Sequence, residues 1–97
     1  MLGVTREDTL QLSNGTVLHA IPELEKYWAF NVKTGDQYDL NESAYFLLTL
    51  FSEPMTVFKA LLSFANKYEL ADRQVDEDCL PLLTQYLNDG IFERSLK

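Results

Sequence analysis

The feature that most constrains the fold is a change of pattern near residue 41. Before it, apolar residues alternate as in strands, and after it they recur at helical spacing. Strands followed by helices favour an α+β fold over a βαβ alternation. The chain has 97 residues, and we expect a single domain over 1–97. Its core is expected at about 16–92, with frayed ends at 1–8 and 93–97.

Three segments of the first part predict strands. They are Thr16–Ile21, Tyr27–Val32 and Asp36–Leu40. Lys33-Thr34-Gly35 is a short connection between the second and the third, so we predict a small three-stranded antiparallel sheet. Asn14-Gly15 lies between apolar residues and predicts a hairpin, with possible extra pairing around residues 10–12.

Three helices are predicted in the second part. They cover 42–52, 57–68 and 77–89, with Asn41, Thr56 and Asp76 as the respective N-cap residues. The first is apolar nearly all round, which is typical of a buried helix. Gly90 suits the position after the third helix, whereas Pro81 leaves the start of that helix open.

Charge and cysteine content exclude several classes of partner. Eight Lys and Arg against fifteen Asp and Glu give a net charge of −7, which argues against nucleic acid and acidic membranes. The first nine residues have no apolar core of a signal peptide, and the apolar stretch 44–51 is too short to span a bilayer. A single cysteine fits a reducing compartment, so we expect a cytoplasmic protein.

No set of residues predicts catalysis. His19 and Cys79 are the only residues of their types, and neither has an evident nucleophile, base or metal-ligand partner in the pattern. The four glycines are scattered and form no phosphate loop. We therefore expect no enzyme, no cofactor and no metal.

The third helix carries more apolar surface than one core stripe needs. Leu82 and Tyr86 lie four residues apart, toward a different side from Cys79. They either widen the core face or line a groove for an apolar ligand chain. Strands followed by three helices also describe a winged-helix regulatory or interaction domain. Val75–Asp89 contains no Lys or Arg, however, which disfavours DNA binding.

These residues resemble a known family. Thr34-Gly35, then Tyr38-Asp39-Leu40-Asn41 and then Ala44 are similar to the strand-to-helix passage of the PqqD-like family. The domain of that family is also called the recognition element (RRE) of ribosomally synthesised, post-translationally modified peptides (RiPPs). The similarity continues over about residues 16–92 with Thr56-Val57, Tyr68, Asp78, Leu82-Leu83, Leu87 and Gly90-Ile91-Phe92.

The resemblance implies a three-stranded sheet on three helices, in a winged helix-turn-helix-like arrangement. It also implies a peptide chaperone that binds the leader segment of a precursor peptide and presents it to a modifying enzyme. Such enzymes include radical SAM proteins, cyclodehydratases and leader peptidases. In the family, the leader adds as a strand to the third strand, in the cleft beside the third helix. The corresponding residues here are Asp36, Gln37, Tyr38, Asp39 and Leu40 on the strand, and Asp78, Cys79, Leu82, Leu83 and Tyr86 on the helix.

Overall fold

A computed structural model describes residues 3–95. Its elements are β1 (Thr9–Leu12), β2 (Thr16–Ile21), β3 (Lys26–Asn31), β4 (Gln37–Leu40), α1 (Glu42–Thr49), β5 (Met55–Thr56), α2 (Val57–Tyr68), α3 (Asp72–Asn88) and β6 (Phe92–Arg94). A short 3-10 turn, Pro22–Leu24, joins β2 to β3. The strands form two antiparallel sheets, so the predicted α+β class is confirmed.

The first sheet has the order β2-β3-β4 and is the sheet predicted from the sequence. Ala29 at the centre of β3 pairs with Leu18 on one side and Tyr38 on the other. Ala29 is fully buried, so its face of the sheet covers the core. β4 pairs with β3 alone among the described strands and is therefore an edge strand.

The second sheet has the order β5-β1-β6, and it changes the prediction for Asn14-Gly15. The chain does turn there, because the Thr16 N–H donates to the Ser13 carbonyl at 3.0 Å. A tight two-residue hairpin of type I′ needs positive φ at both central residues, but only Gly15 has it, at 98°. β1 and β2 therefore diverge into different sheets, and the predicted hairpin is wrong.

Both segments expected to fray are packed where the structure describes them. Val4 is buried, and Asp8 accepts a hydrogen bond from the Val57 N–H at 2.8 Å. Residues 92–94 form β6 against β1, and the Ser95 N–H donates to the Thr9 carbonyl at 2.8 Å. The structure therefore packs residues 3–8 and 93–95 against the rest of the domain, where the sequence predicts frayed ends. Residues 1, 2, 96 and 97 lie outside the described part.

Side-chain caps set the starts of the first two helices as predicted. The Asn41 carboxamide oxygen accepts from the Ala44 N–H at 2.8 Å, and the Thr56 hydroxyl accepts from the Lys59 N–H at 3.3 Å. α1 is three residues shorter than predicted, since it ends at Thr49. α2 has the predicted limits.

The third helix begins at Asp72, so Asp76 is not its cap. Val75 is 1% exposed, and an earlier start places it on the same buried stripe as Cys79. Gln74 donates to the Asp78 carboxylate one turn later, which also stabilises these first turns. Pro81 therefore lies inside the helix. Its position is exposed, so water can donate a hydrogen bond to the carbonyl that the proline leaves unpaired.

The end of α3 follows the prediction for Gly90. The Gly90 N–H donates to the Leu87 carbonyl at 3.1 Å, and the Ile91 N–H donates to the Tyr86 carbonyl at 3.0 Å. Gly90 has a φ of 87°, the left-handed conformation that this Schellman motif requires. The motif turns the chain back, so Ile91 and Phe92 are buried and β6 can pair with β1. None of the helices within residues 3–95 has the length and apolar character needed to cross a membrane.

Candidate functional site

β4 has one hydrogen-bonded side and one free side. The Asn31 N–H donates to the Asp36 carbonyl at 2.9 Å just before β4 begins. Because backbone groups alternate in direction along a strand, the N–H and C=O of Tyr38 point toward β3. Those of Gln37 and Asp39 point to the free side, where no strand of the described chain pairs with them.

The side chains of β4 alternate in the same way. Tyr38 and Leu40 lie half-buried on the core side, whereas Gln37 and Asp39 are exposed on the outer face. Asp36 precedes the strand, and its carboxylate accepts a hydrogen bond from the Thr34 hydroxyl at 3.0 Å. The structure thus keeps the five predicted edge residues together, four in β4 and one at its entry.

An apolar cavity of about 400 Å³ lies between the start of α1 and the middle of α3. It is lined by Ser43, Ala44, Leu47, Phe64, Tyr68, Leu70, Asp78, Cys79 and Leu82. Because α1 begins directly after Leu40 and Asn41, the cavity lies at the Leu40 end of β4.

The other end of β4 lies near the end of α3. The pKa of Tyr38 is raised by burial and then by the nearby charges of Asp36 and Asp89. Asp89 is the C-cap residue of α3, whereas Asp78 lines the apolar cavity. The end of α3 therefore lies near Tyr38, and its middle lies at the cavity. We call the space bounded by the free side of β4, the apolar cavity and α3 the β4–α3 cleft.

The structure divides the predicted α3 residues into two groups. Asp78, Cys79 and Leu82 line the cavity. Leu83 is 0% exposed, and Tyr86 is buried with its ring 6.2 Å from that of Phe92. Leu83 and Tyr86 therefore belong to the core, and they position α3 rather than line the open cavity.

Cys79 is a buried residue in the wall of the cavity. Burial raises its thiol pKa to about 11, with further contributions from the charges of Asp78 and Asp76. The ring of His19 stacks on that of Trp28 in the outer face of the first sheet, with 5.3 Å between the ring centroids. Between Gly3 and Ser95 no three His, Cys, Asp or Glu side chains are placed to hold a metal ion.

The sequence pattern does not predict several of the cavity residues as binding residues. Leu47 and Phe64 read as core residues of α1 and α2, and Leu70 reads as part of a polar loop. Ala44 and Tyr68 appear in the family resemblance only as parts of a motif. The small side chain of Ala44 is the one local signal, since it leaves space beside α3 that a larger residue would fill.

The chain has the fold of a RiPP recognition element. Its backbone matches the solution NMR structure of the PqqD truncation of Methylobacterium extorquens PqqCD, a functional and stand-alone RRE, with a TM-score of 0.77. That match covers 94% of this chain and 95% of the other, at 21% sequence identity. TbiB1 in complex with the TbiA(beta) leader peptide matches with a TM-score of 0.75, over 90% and 99% of the two chains, at 16% identity.

These likenesses confirm at the level of the fold the resemblance that the sequence predicts. No protein-family model matches the chain, and no curated protein is significantly similar to it.

Proposed function

We propose that this protein is a non-catalytic peptide chaperone of RiPP biosynthesis. It binds the leader segment of a ribosomally made precursor peptide and presents the precursor to a modifying enzyme. The observation that carries the proposal is the free side of β4 beside the apolar cavity. The solved neighbours support it, since one is a functional RRE and the other holds a leader peptide.

Strand addition is the binding mode that this geometry favours. Gln37 and Asp39 each offer one backbone N–H and one C=O, so a docked strand gains up to four hydrogen bonds of about 0.5–1.5 kcal/mol each. Those bonds do not depend on the side chains of the peptide. An apolar side chain in the cavity then supplies selectivity, because its burial is worth about 1.5–3 kcal/mol.

The proposed contact residues refine the set expected from the sequence. Gln37 and Asp39 bond the peptide backbone, and Tyr38 and Leu40 form the floor of the cleft. Cys79 and Leu82 form the α3 wall, and Asp36 and Asp78 are charged residues at the two ends. The buried Leu83 and Tyr86 support α3 from behind.

The remaining partner is the modifying enzyme. The first solved neighbour is a truncation of a larger protein, PqqCD. A radical SAM protein, a cyclodehydratase or a leader peptidase is the kind of enzyme that we propose this protein serves. The proposal places it in the cytoplasm, where precursor peptides are synthesised.

The experiment is an NMR titration with synthetic leader peptides encoded by short reading frames beside the gene. We expect backbone amide shifts at Gln37 and Asp39 and side-chain methyl shifts at Leu82, with slowed amide exchange in β4. Shifts confined to the β5-β1-β6 sheet would contradict the proposal, because that sheet lies outside the cleft.

A winged-helix regulatory domain stays the alternative, and the winged helix-turn-helix comparison stays a prediction. Arg73 is the one cation of α3, and it lies 3.6 Å from Glu77. The four acidic residues of the helix are Asp72, Asp76, Glu77 and Asp78. DNA affinity depends on cations that meet phosphates, so we expect no salt-dependent mobility shift with duplex DNA.

A further inference from the structure

We infer that the docked leader strand is basic, with Lys or Arg at alternate positions between apolar residues. The inference rests on the proposed function and names the chemistry of its ligand. It starts from the carboxylates around the β4–α3 cleft. They are Asp36 and Asp39 on the strand side and Asp78 and Asp89 on the α3 side.

None of these four carboxylates is in an ion pair among residues 3–95. The ion pairs there join Arg6 to Asp76, Arg73 to Glu77 and Arg94 to Asp8. Three of the four carboxylates have uncharged donors instead. Thr34 donates to Asp36 at 3.0 Å, Gln37 to Asp39 at 3.5 Å and Gln74 to Asp78 at 3.0 Å.

The charges near the free side of β4 are therefore nearly all negative. Asp78 is the only charged residue that lines the apolar cavity. On the outer face of the sheet, a depression of about 430 Å³ beside Asp39 also contains Glu25 and Lys26, and these two charges offset each other. The net charge of −7 adds to this negative field.

The alternation of side chains along a strand predicts where basic and apolar residues lie in the docked peptide. A peptide residue directly opposite Asp39 places its side chain on the same outer face, where opposite charges on neighbouring strands attract. Trp28 lies opposite Asp39 on the β3 side, so its ring can cover the stem or the cation of a Lys or Arg. The next peptide residues point to the core side, toward Tyr38, Leu40 and the apolar cavity.

A random twelve-residue peptide library displayed on phage tests the pattern without a known ligand. It is selected on the wild-type protein and, in parallel, on Gln37→Pro. That variant loses an N–H of the free side without any change of charge, at the first residue of a strand, where proline is tolerated. Peptides enriched on the wild type alone are therefore edge binders.

We expect the edge binders to alternate Lys or Arg with apolar residues. Neutral or acidic edge binders would overturn the inference and leave the proposed function standing. If no peptide distinguishes the two proteins, and none of those selected shifts the Gln37–Leu40 amides of the wild type, the proposed function fails as well. The amide shifts decide the matter even if the Gln37→Pro variant does not fold.

Charge variants then measure the effect on one selected peptide. We expect Lys→Glu in the peptide, at the position opposite Asp39, to weaken binding about tenfold at low salt. Asp39→Asn in the protein should remove most of this preference. Glu53→Gln is the control, since it changes the net charge equally at an exposed position in the loop before β5. If Asp39→Asn and Glu53→Gln reduce the preference for Lys over Glu equally, the effect is one of net charge only, and the inference is overturned.

Discussion

The backbone N–H of Asn31 donates to the carbonyl of Asp36 at 2.9 Å, and this bond sets the phase of β4. Since the peptide plane directs a C=O and the next N–H to opposite sides, the Gln37 N–H points away from β3. The Tyr38 N–H then points toward β3, and the Asp39 N–H points away again. The free side of β4 is therefore formed by alternate residues, and neighbouring substitutions should act in opposite ways.

Proline substitutions at positions 37 and 38 test this phase. Gln37→Pro should leave thermal unfolding nearly unchanged and weaken strand addition, because on the backbone it removes only a free N–H and its side-chain bond to Asp39 is exposed. Tyr38→Pro should instead lower the free energy of unfolding by about 1 kcal/mol or more, because it removes a bond to β3. Circular dichroism melts and calorimetric titration with a leader peptide measure the two effects. Full-strength binding by a folded Gln37→Pro protein would contradict the assigned edge.

The cavity wall can be tested with Leu82→Asp. Leu82 is half-buried and lines the cavity, so a carboxylate there should weaken leader binding at least tenfold and leave the fold intact. Leu62→Asp is the matched control, since Leu62 is 41% exposed on α2 and does not line the cavity. Equal affinities of the two variants in calorimetry would show that the cavity takes no part in binding.

Truncation of Leu83 should destabilise the fold more than truncation of Leu82. Leu83 is 0% exposed, so Leu83→Ala should lower the free energy of unfolding by about 2–5 kcal/mol. Leu82→Ala should lower the free energy of unfolding clearly less, because the Leu82 side chain already borders an open space. Urea denaturation of the two variants gives the comparison, and equal losses would contradict the division of α3 into cavity and core residues.

Cys79 should resist thiol reagents in the folded protein. Its thiol pKa of about 11 leaves almost no thiolate at pH 8, and burial blocks access. In the unfolded chain the pKa returns to its ordinary value near 9. The thiol thus ionises more easily in the unfolded state, so the free energy of unfolding should decrease as the pH rises from about 9 to 11.

A kinetic assay with an aromatic disulfide at pH 8 measures this reactivity, with the urea-unfolded chain as the reference. We expect slow reaction in the native protein and fast reaction in urea. Rapid reaction of the native protein would show that the Cys79 thiol is accessible and would contradict its burial. The Cys79→Ala variant supplies the blank and should bind a leader peptide, since the proposed function gives the thiol no chemical role.

Local signals account for the correct part of the sequence prediction. Asn41 and Thr56 each accept a hydrogen bond from an N–H three residues later, so their effect is contained within one turn. Gly90 ends α3 through bonds within the same few residues. Such contacts depend on neighbours in the chain, which is why the limits of α2 and the end of α3 could be predicted.

The errors arise where distant segments compete. Asn14-Gly15 predicts a turn between two paired strands, but β1 pairs instead with β5 and β6 from the second half of the chain. The sequence pattern predicts Asp76 as the cap of α3, but burial of Val75 extends that helix upstream. In both cases the burial of apolar surface and long-range strand pairing prevail over a short-range signal.

The sequence by itself determined the order of strands and helices, the apolar faces and the acidic charge, because each follows from residue type and spacing. Only the tertiary structure decided that Leu82 borders a cavity whereas Leu83 fills the core, and that Gln37 rather than Tyr38 offers a free N–H. The first outcome depends on how α3 lies against α1, which is set by contacts between residues far apart in the chain. The second depends on the register of β3 with β4, which is set by the backbone hydrogen bonds of Asn31 around the turn and not by residue type alone.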